Sequence, residues 1–386
     1  MSTMQPELQT NSTLYKKSFP SFKEPKIIGY VGYENVLFAK TVENKEVKLD
    51  LDFLRNKAVL KPHCLDVKLN ELLKFLLQNE IRLNLCLNDV INKAQFLCYR
   101  GLMTCIASTP YERKEGWRLF AILFKGNIYL CARETEEKQK KKQNFTEQEQ
   151  KFTSWGYKFE QYILSESPHA EPNPNLPLDE NKEFSLIFKT HLNKHDIIYG
   201  AEMDGIRCDK TSVESPPDID DGKDVIINYL SKQKFIELKT NRHIEFPHQE
   251  RNFRFFKTKR WWLQSFLAGV NTILCGFRND EGIVEELKVF EVNDLPKMSQ
   301  RFWNPNVCFN FLENFLTYVK ECLTREIRHK YGERALHKIH ALPLISLHFE
   351  WNPGSPVRVT DNYVYEDDPI LPSWFTENFM TFRYDE

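Results

Sequence analysis

No Cys-x-x-Cys pair occurs in this chain, and its nine cysteines (Cys64, Cys86, Cys98, Cys105, Cys131, Cys208, Cys275, Cys308 and Cys322) are scattered and odd in number. That argues against a disulfide framework or a cysteine zinc site and points to reduced thiols in an intracellular protein. No apolar stretch approaches the roughly 20 residues a membrane span requires, so membrane functions fall away. The segment Met1 to Lys16 lacks the apolar core of a signal peptide and reads as a loose tail. The glycosylation sequons at Asn11 and Asn144 therefore carry no weight. Charge of one sign is also missing. With a net charge of −1, any nucleic acid has to be met by a local basic groove and not by a global field. Absent too are a P-loop, a nucleophile elbow and a dinucleotide fingerprint, and His195, His243 and His248 show no metal-ligand spacing.

What is present is an ordinary globular composition, 41% hydrophobic and 28% charged over 386 residues, ample for a buried core. Strand patterns fall at Ile27–Tyr33, Val36–Ala39, Gly116–Phe124 and Asn127–Ala132, the last two joined by a Lys125-Gly126 turn. Helical spacing predicts helices over Leu69–Gln78, Ser154–Leu164, Glu183–His191, Lys257–Gly269 and Cys308–Arg328. Further strands are expected at Ile197–Arg207, Phe235–Thr240, Thr272–Arg278, Glu285–Val292 and Leu344–Trp351. Glu134–Gln150, with Lys138, Lys140, Lys141 and Lys142, reads as a solvated connection, a nucleic-acid contact or an import patch. Strands and helices intermix without βαβ regularity. The expected class is α+β, a mixed central β-sheet flanked by helices. With no clean linker, residues 1–20 form a disordered tail and 21–386 a single domain in this reading.

Two short strands carry the chemistry. In Gly200-Ala201-Glu202-Met203-Asp204-Gly205, the residues Glu202 and Asp204 share a face; in Phe235-Ile236-Glu237-Leu238-Lys239-Thr240, Glu237 and Lys239 do. If the strands are neighbours, three carboxylates and one ammonium converge. Crowded, partly buried carboxylates stay ionised only with a cation among them, and an all-oxygen set suits Mg2+ or Mn2+. Acid followed by Glu-x-Lys on the next strand is the pattern of nuclease cores. Either pair taken alone reads equally well as a solvated strand face. Glu160 sits at the margin of the Trp155, Phe159, Tyr162, Ile163 stripe, a place that an ordinary surface residue also fills. Arg251, Arg254, Lys257, Lys259 and Arg260 interleave with Phe253, Phe255, Phe256, Trp261 and Trp262. That block suits a single nucleic-acid strand, or core packing with snorkelling cations.

These segments resemble, in order, the DXO family of RNA 5′-end decapping exoribonucleases. The matching pieces are Tyr99-Arg100-Gly101-Leu102, Thr109-Pro110-Tyr111-Glu112, Trp155-Gly156-Tyr157-Lys158-Phe159-Glu160, Glu202-Met203-Asp204, Glu237-Leu238-Lys239, Trp261-Trp262-Leu263-Gln264-Ser265-Phe266 and Gly276-Phe277-Arg278. The resemblance runs from about Gln95 to Arg278 and more loosely beyond. It implies that Glu160, Glu202, Asp204, Glu237 and the Leu238 carbonyl hold divalent metal, Mg2+ or Mn2+, as two ions. It further implies that Lys239 and Gln264 contact the scissile phosphate or its nucleotide, while Arg100 grips the RNA backbone near its 5′ end. The expected function is a nuclear, and also cytoplasmic, metal-dependent hydrolase. It would remove triphosphate, incompletely methylated cap or NAD cap from RNA 5′ ends, with 5′–3′ exoribonuclease action to follow. Two rivals remain open: a non-catalytic 5′-end-binding partner of a separate nuclear 5′–3′ exoribonuclease, and a DNA nuclease on the same core.

Overall fold

The computed structural model describes residues 6–40, 47–49, 69–83, 85, 89–208, 214–360 and 371–379. Cys64 and Cys86 lie outside them, as does the side chain of Lys142. The described strands form two mixed sheets. The larger has eight strands in the order Lys26–Val31, Ser185–Leu192, His195–Glu202, Phe96–Tyr99, Asn127–Arg133, Trp117–Phe124, Ile345–Trp351 and Arg358–Thr360. The smaller has seven, in the order Val47–Lys48, Ile283–Glu291, Thr272–Arg278, Phe235–Arg242, Gly205–Arg207, Phe38–Ala39 and Leu164–Ser165.

Local sequence explains several joints. The Trp117–Phe124 and Asn127–Arg133 strands close on a two-residue turn in which Lys125 (φ 48°) and Gly126 (φ 79°) are both left-handed. Positive φ at both positions matches the right-handed strand twist, which is why a two-residue hairpin selects it. The long helix Pro305–Tyr331 begins on Asn304, whose side chain accepts from the Asn306 N–H, and ends at Gly332 with φ 81°. Its buried stripe packs Phe315 edge-on to Trp117 and to Phe349 of the larger sheet.

Three expectations are corrected. Glu183–His191 is not a helix: Ser185–Leu192 is a central strand. Leu186, Phe188 and Leu192 enter one apolar core while Ile187 enters the other. A strand covered on both faces loses the alternation that would mark it as one. Glu134–Gln150 is not an unstructured connection but holds helix Glu136–Gln143 and the start of helix Glu147–Ile163, nucleated by a Thr146–Glu149 capping box. The tail is docked from residue 6 onward: Leu8 bridges to Val357, the Tyr318 hydroxyl donates to the Pro6 carbonyl at 2.6 Å, and buried Tyr15 packs 5.1 Å from Phe311. Tyr15 supplies the apolar area that fixes this segment, which its polar composition hides.

Ile197–Arg207 is two strands. The chain leaves the larger sheet after Glu202, bends at Met203 and Asp204, and enters the smaller one at Gly205. Helix Glu147–Ile163 lies on the smaller sheet, where Trp155, Phe159 and Ile163 pack with Ile236 and Leu238. Gly276 permits the close approach, because a Cβ there would fall 2.7 Å from the Phe159 ring. The Arg278 guanidinium stacks 4.3 Å from the Trp155 ring and clamps the same helix.

Candidate active site

The bend between the sheets meets the strand Phe235–Arg242. Gly205 pairs antiparallel with Ile236, so Asp204 arrives opposite the segment Glu237-Leu238. Its Oδ2 accepts the Leu238 N–H at 2.6 Å. The strand that neighbours Phe235–Arg242 is thus Gly205–Arg207, with Asp204 just before it in the bend, whereas Glu202 ends a strand of the larger sheet and is exposed. Helix Glu147–Ile163 brings Glu160 within electrostatic reach of Asp204, Glu202, Glu237 and Lys239.

Glu237 is 2% exposed and carries two partners. Lys239 Nζ donates to its Oε1 at 2.5 Å, and Arg100 Nη1 to its Oε2 at 3.4 Å. Burial alone would raise this carboxyl; Lys239 and Arg100 together outweigh it and hold Glu237 below the ordinary range. Lys239 is held up in turn: Glu237 and Asp204 overcome its own burial. The contact of Arg100 with Glu237 has no signal in the sequence, since the two lie 137 positions apart. Arg100 is itself buried at the start of helix Arg100–Ser108, not a surface residue.

The other acids are under strain. Burial, then repulsion from Asp204 and Glu202, pushes Glu160 well above the usual carboxylate range. Burial, then Glu237, raises Asp204 to about 7, despite Lys239 and the Leu238 N–H. Among the described residues, no three acidic, histidine or cysteine side chains form a compact metal-ligand cluster. Like charges that share a partly buried site repel, and Glu237 is turned to its two cations. Even so, the donor set fits a hard divalent ion, which prefers carboxylate and carbonyl oxygen and relieves the repulsion that raises Glu160 and Asp204. Gln264 is half-buried on helix Thr258–Leu267, which packs against the Arg100–Ser108 helix. It takes no part in the contacts that join the acids.

The basic-aromatic block divides. Phe253, Trp261 and Trp262 are buried in the core, as packing predicts. Lys257, Lys259 and Arg260 instead line a cavity of 550 Å³, which sequence reasoning did not locate.

A family profile described as "RAI1 like PD-(D/E)XK nuclease" matches residues 22–376. The chain belongs to that family. The Xenopus laevis decapping and exoribonuclease protein is 33% identical over 290 residues, which span 73% of this chain and 63% of that one. The Rattus norvegicus protein of the same description is 29% identical over 390 residues, 96% of this chain and 89% of its own. Among solved structures, Candida albicans Rai1 in complex with pU5-Mn2+ superposes with a TM-score of 0.70 at 18% identity, covering 93% of each chain. Scheffersomyces stipitis Rai1 in complex with 3′-NADP and a calcium ion gives 0.68 at 20% identity, covering 92% of each. These likenesses establish the α+β fold of this RAI1-like nuclease, and the family makes it a hydrolase of the decapping, 5′-end-processing type. Relatives in that fold are solved with divalent metal, manganese or calcium. No described helix is long and apolar enough to cross a membrane.

Proposed function

We propose that this RAI1-like nuclease removes aberrant 5′ ends from RNA: triphosphate, incompletely methylated cap and NAD cap. In this reading Glu160, Glu202, Asp204, Glu237 and the Leu238 carbonyl hold divalent metal, Mg2+ or Mn2+, as two ions. One observation carries the reading: Glu160 and Asp204 are held out of the ordinary carboxylate range beside a Glu237 that is fixed by Arg100 and Lys239. Perturbed acids gathered at a strand junction are a functional arrangement before they are a stabilising one. The bound metal would supply an activated water and neutralise the leaving oxygen. Lys239, anchored by Glu237, presents a fixed positive charge toward the phosphate being cut. Arg100 holds the other oxygen of Glu237 and, from the same helix start, faces the 5′ end of the chain. Gln264, with Lys239, contacts the scissile phosphate or its nucleotide. Charge and alignment supply most of the rate in phosphoryl chemistry, so the precise placement of these groups decides the activity.

Residues 21–386 act as one domain in this proposal. The enzyme works in the nucleus, and also in the cytoplasm, with a nuclear 5′–3′ exoribonuclease as partner; its own 5′–3′ degradation follows the first cut. The test is release of pyrophosphate or GpppN from 5′-triphosphate or unmethylated-cap RNA, dependent on manganese or magnesium. Product from the wild type and none from Asp204→Ala is the expected result. Equal product from both sinks it, and RNA affinity without turnover favours a purely binding role.

A further inference from the structure

The strand Ile283–Glu291 lies at the outer side of the smaller sheet. Among the described residues its one outer neighbour is Val47–Lys48, which pairs with Ile283 and Val284 and no further. From Glu285 to Glu291 the strand presents a row of outward backbone N–H and C=O groups, about 20 Å long at a strand's rise per residue. Every residue of that stretch except Phe290 is exposed. Phe290 turns inward, 5.9 Å from Trp261 and 6.3 Å from Phe277, and pins the strand as a rigid edge.

A bare edge is a template for another chain, and proteins ordinarily blunt it with lysine, proline or a bulge. Here the bulge comes only near the start of the strand, opposite Phe277 and Arg278, and the stretch holds no proline. Its single lysine, Lys288, is drawn back 5.3 Å over the Phe290 ring. Leu287 and Val289 are 37% and 58% exposed, and Leu274, directly opposite Val289, is half-buried. The three share the sheet face that carries helix Glu147–Ile163, since Leu274 packs into its core.

Charge indicates what fits this edge. Asp280, Glu281, Glu285, Glu286 and Glu291 stand along it against Lys288 alone. Asp280 is held by Arg242 at 2.6 Å and Glu285 accepts from Asn279 at 3.2 Å, while Glu286 and Glu291 have no ion pair among the described residues. A second copy of the chain is poorly matched. Antiparallel self-pairing over the whole free stretch is centred on Lys288, and it sets Lys288 against Lys288 and Glu285 against Glu291. Like charges directly opposite are destabilising.

We infer that Glu285–Glu291 is a docking edge for an extended basic and apolar segment of a partner protein, which joins the smaller sheet as an added strand. Main-chain hydrogen bonds supply the affinity, and lysine or arginine beside the acids, with β-branched residues on Leu287 and Val289, supplies the selectivity. Two strands separate the docked segment from the one that bears Glu237. The inference does not rest on the proposed 5′-end hydrolysis.

The experiment titrates the full chain into a fluorescein-labelled peptide, Lys-Thr-Val-Thr-Ile-Thr-Lys, and follows anisotropy. One control peptide carries glutamate at both ends, and a second is N-methylated at alternate amides. The lysine peptide should bind saturably, the glutamate peptide severalfold more weakly, and the N-methylated peptide not at all. Val289→Ser should weaken the lysine peptide about tenfold, as loss of a buried aliphatic contact does. Glu291→Lys should weaken it severalfold and strengthen the glutamate peptide. Both substitutions fall at exposed positions, where folding is not at stake. In hydrogen exchange, the outward amides of Glu285–Glu291 should exchange freely in the free chain and slow when the lysine peptide is bound. No saturable binding overturns the inference, and equal binding of the N-methylated peptide does so by showing charge adhesion without strand pairing. Outward amides already protected in the monomer would put a segment of this same chain on the edge. A dimer in sedimentation that Val289→Ser dissolves would put a second copy there, and either result overturns the partner segment.

Discussion

The larger sheet and the smaller sheet bury polar groups to opposite ends. In the larger, buried polar groups are mostly neutral: the Tyr199 hydroxyl donates to the Leu267 carbonyl at 2.5 Å, and His195 meets the Thr317 hydroxyl at 3.0 Å with Glu313 nearby, while His195 Nδ1 and Asn127 Oδ1 find no hydrogen-bond partner among the described residues. In the smaller, Glu160 and Asp204 are packed among like charges, beside a Glu237 held by Lys239 and Arg100. One region buries mainly neutral polar groups and the other crowds like charges together. Strain of this kind is tolerable only where a rigid neighbour over-determines it.

Substitutions should separate the two regions. Asp204→Asn keeps an acceptor for the Leu238 N–H while it removes the charge. Its rate on 5′-triphosphate RNA should fall by about 10²–10³-fold or more, while its metal-free melting temperature stays level or rises. A fall in both would place Asp204 in the stabilising class. Phe349→Ala, in the larger sheet, should show the reverse: a loss of about 3–5 kcal/mol in urea unfolding, with the rate per folded molecule kept. Manganese at about 100 times its dissociation constant should stabilise the wild type by about 2.7 kcal/mol in thermal melts, and should stabilise Glu160→Gln far less. A further effect concerns pH. Burial, then Arg118 and Arg133, lowers His348 from 6.5 to about 4 in the folded larger sheet. The unfolded chain therefore takes up this proton first, so His348 favours folding above pH 6.5 and loses that contribution as pH falls toward 4. A stability profile between pH 7 and 4 should be shallower in His348→Gln than in the wild type.

The legible part of the site was the part written in local alternation. Glu202, Asp204, Glu237 and Lys239 declared themselves because each strand interleaves its charges with Met203, Ile236 and Leu238, all buried. Glu160 did not: at the margin of a helical stripe it looks like any surface acid, and only the resemblance singled it out. The fold followed the same division. Turns and amphipathic helices were readable at Lys125-Gly126 and along Pro305–Tyr331, whereas Ser185–Leu192 was misread because two cores cover it. The break at Met203 and Asp204 was invisible because the residues on both sides favour strand; only pairing with different partners reveals it. Tertiary contacts such as Arg100 with Glu237, and the cavity behind them, leave no mark on a linear pattern at all.

At Gly276, the missing side chain sets the position of a distant carboxylate. A methyl group there would have to displace the Phe159 ring, and the ring sits one residue before Glu160 on the same rigid rod. Gly276→Ala should thus act at range, as a shim slid beneath a lever: the helix lifts by a fraction of an ångström, and its acid swings off target while every reacting group stays chemically intact.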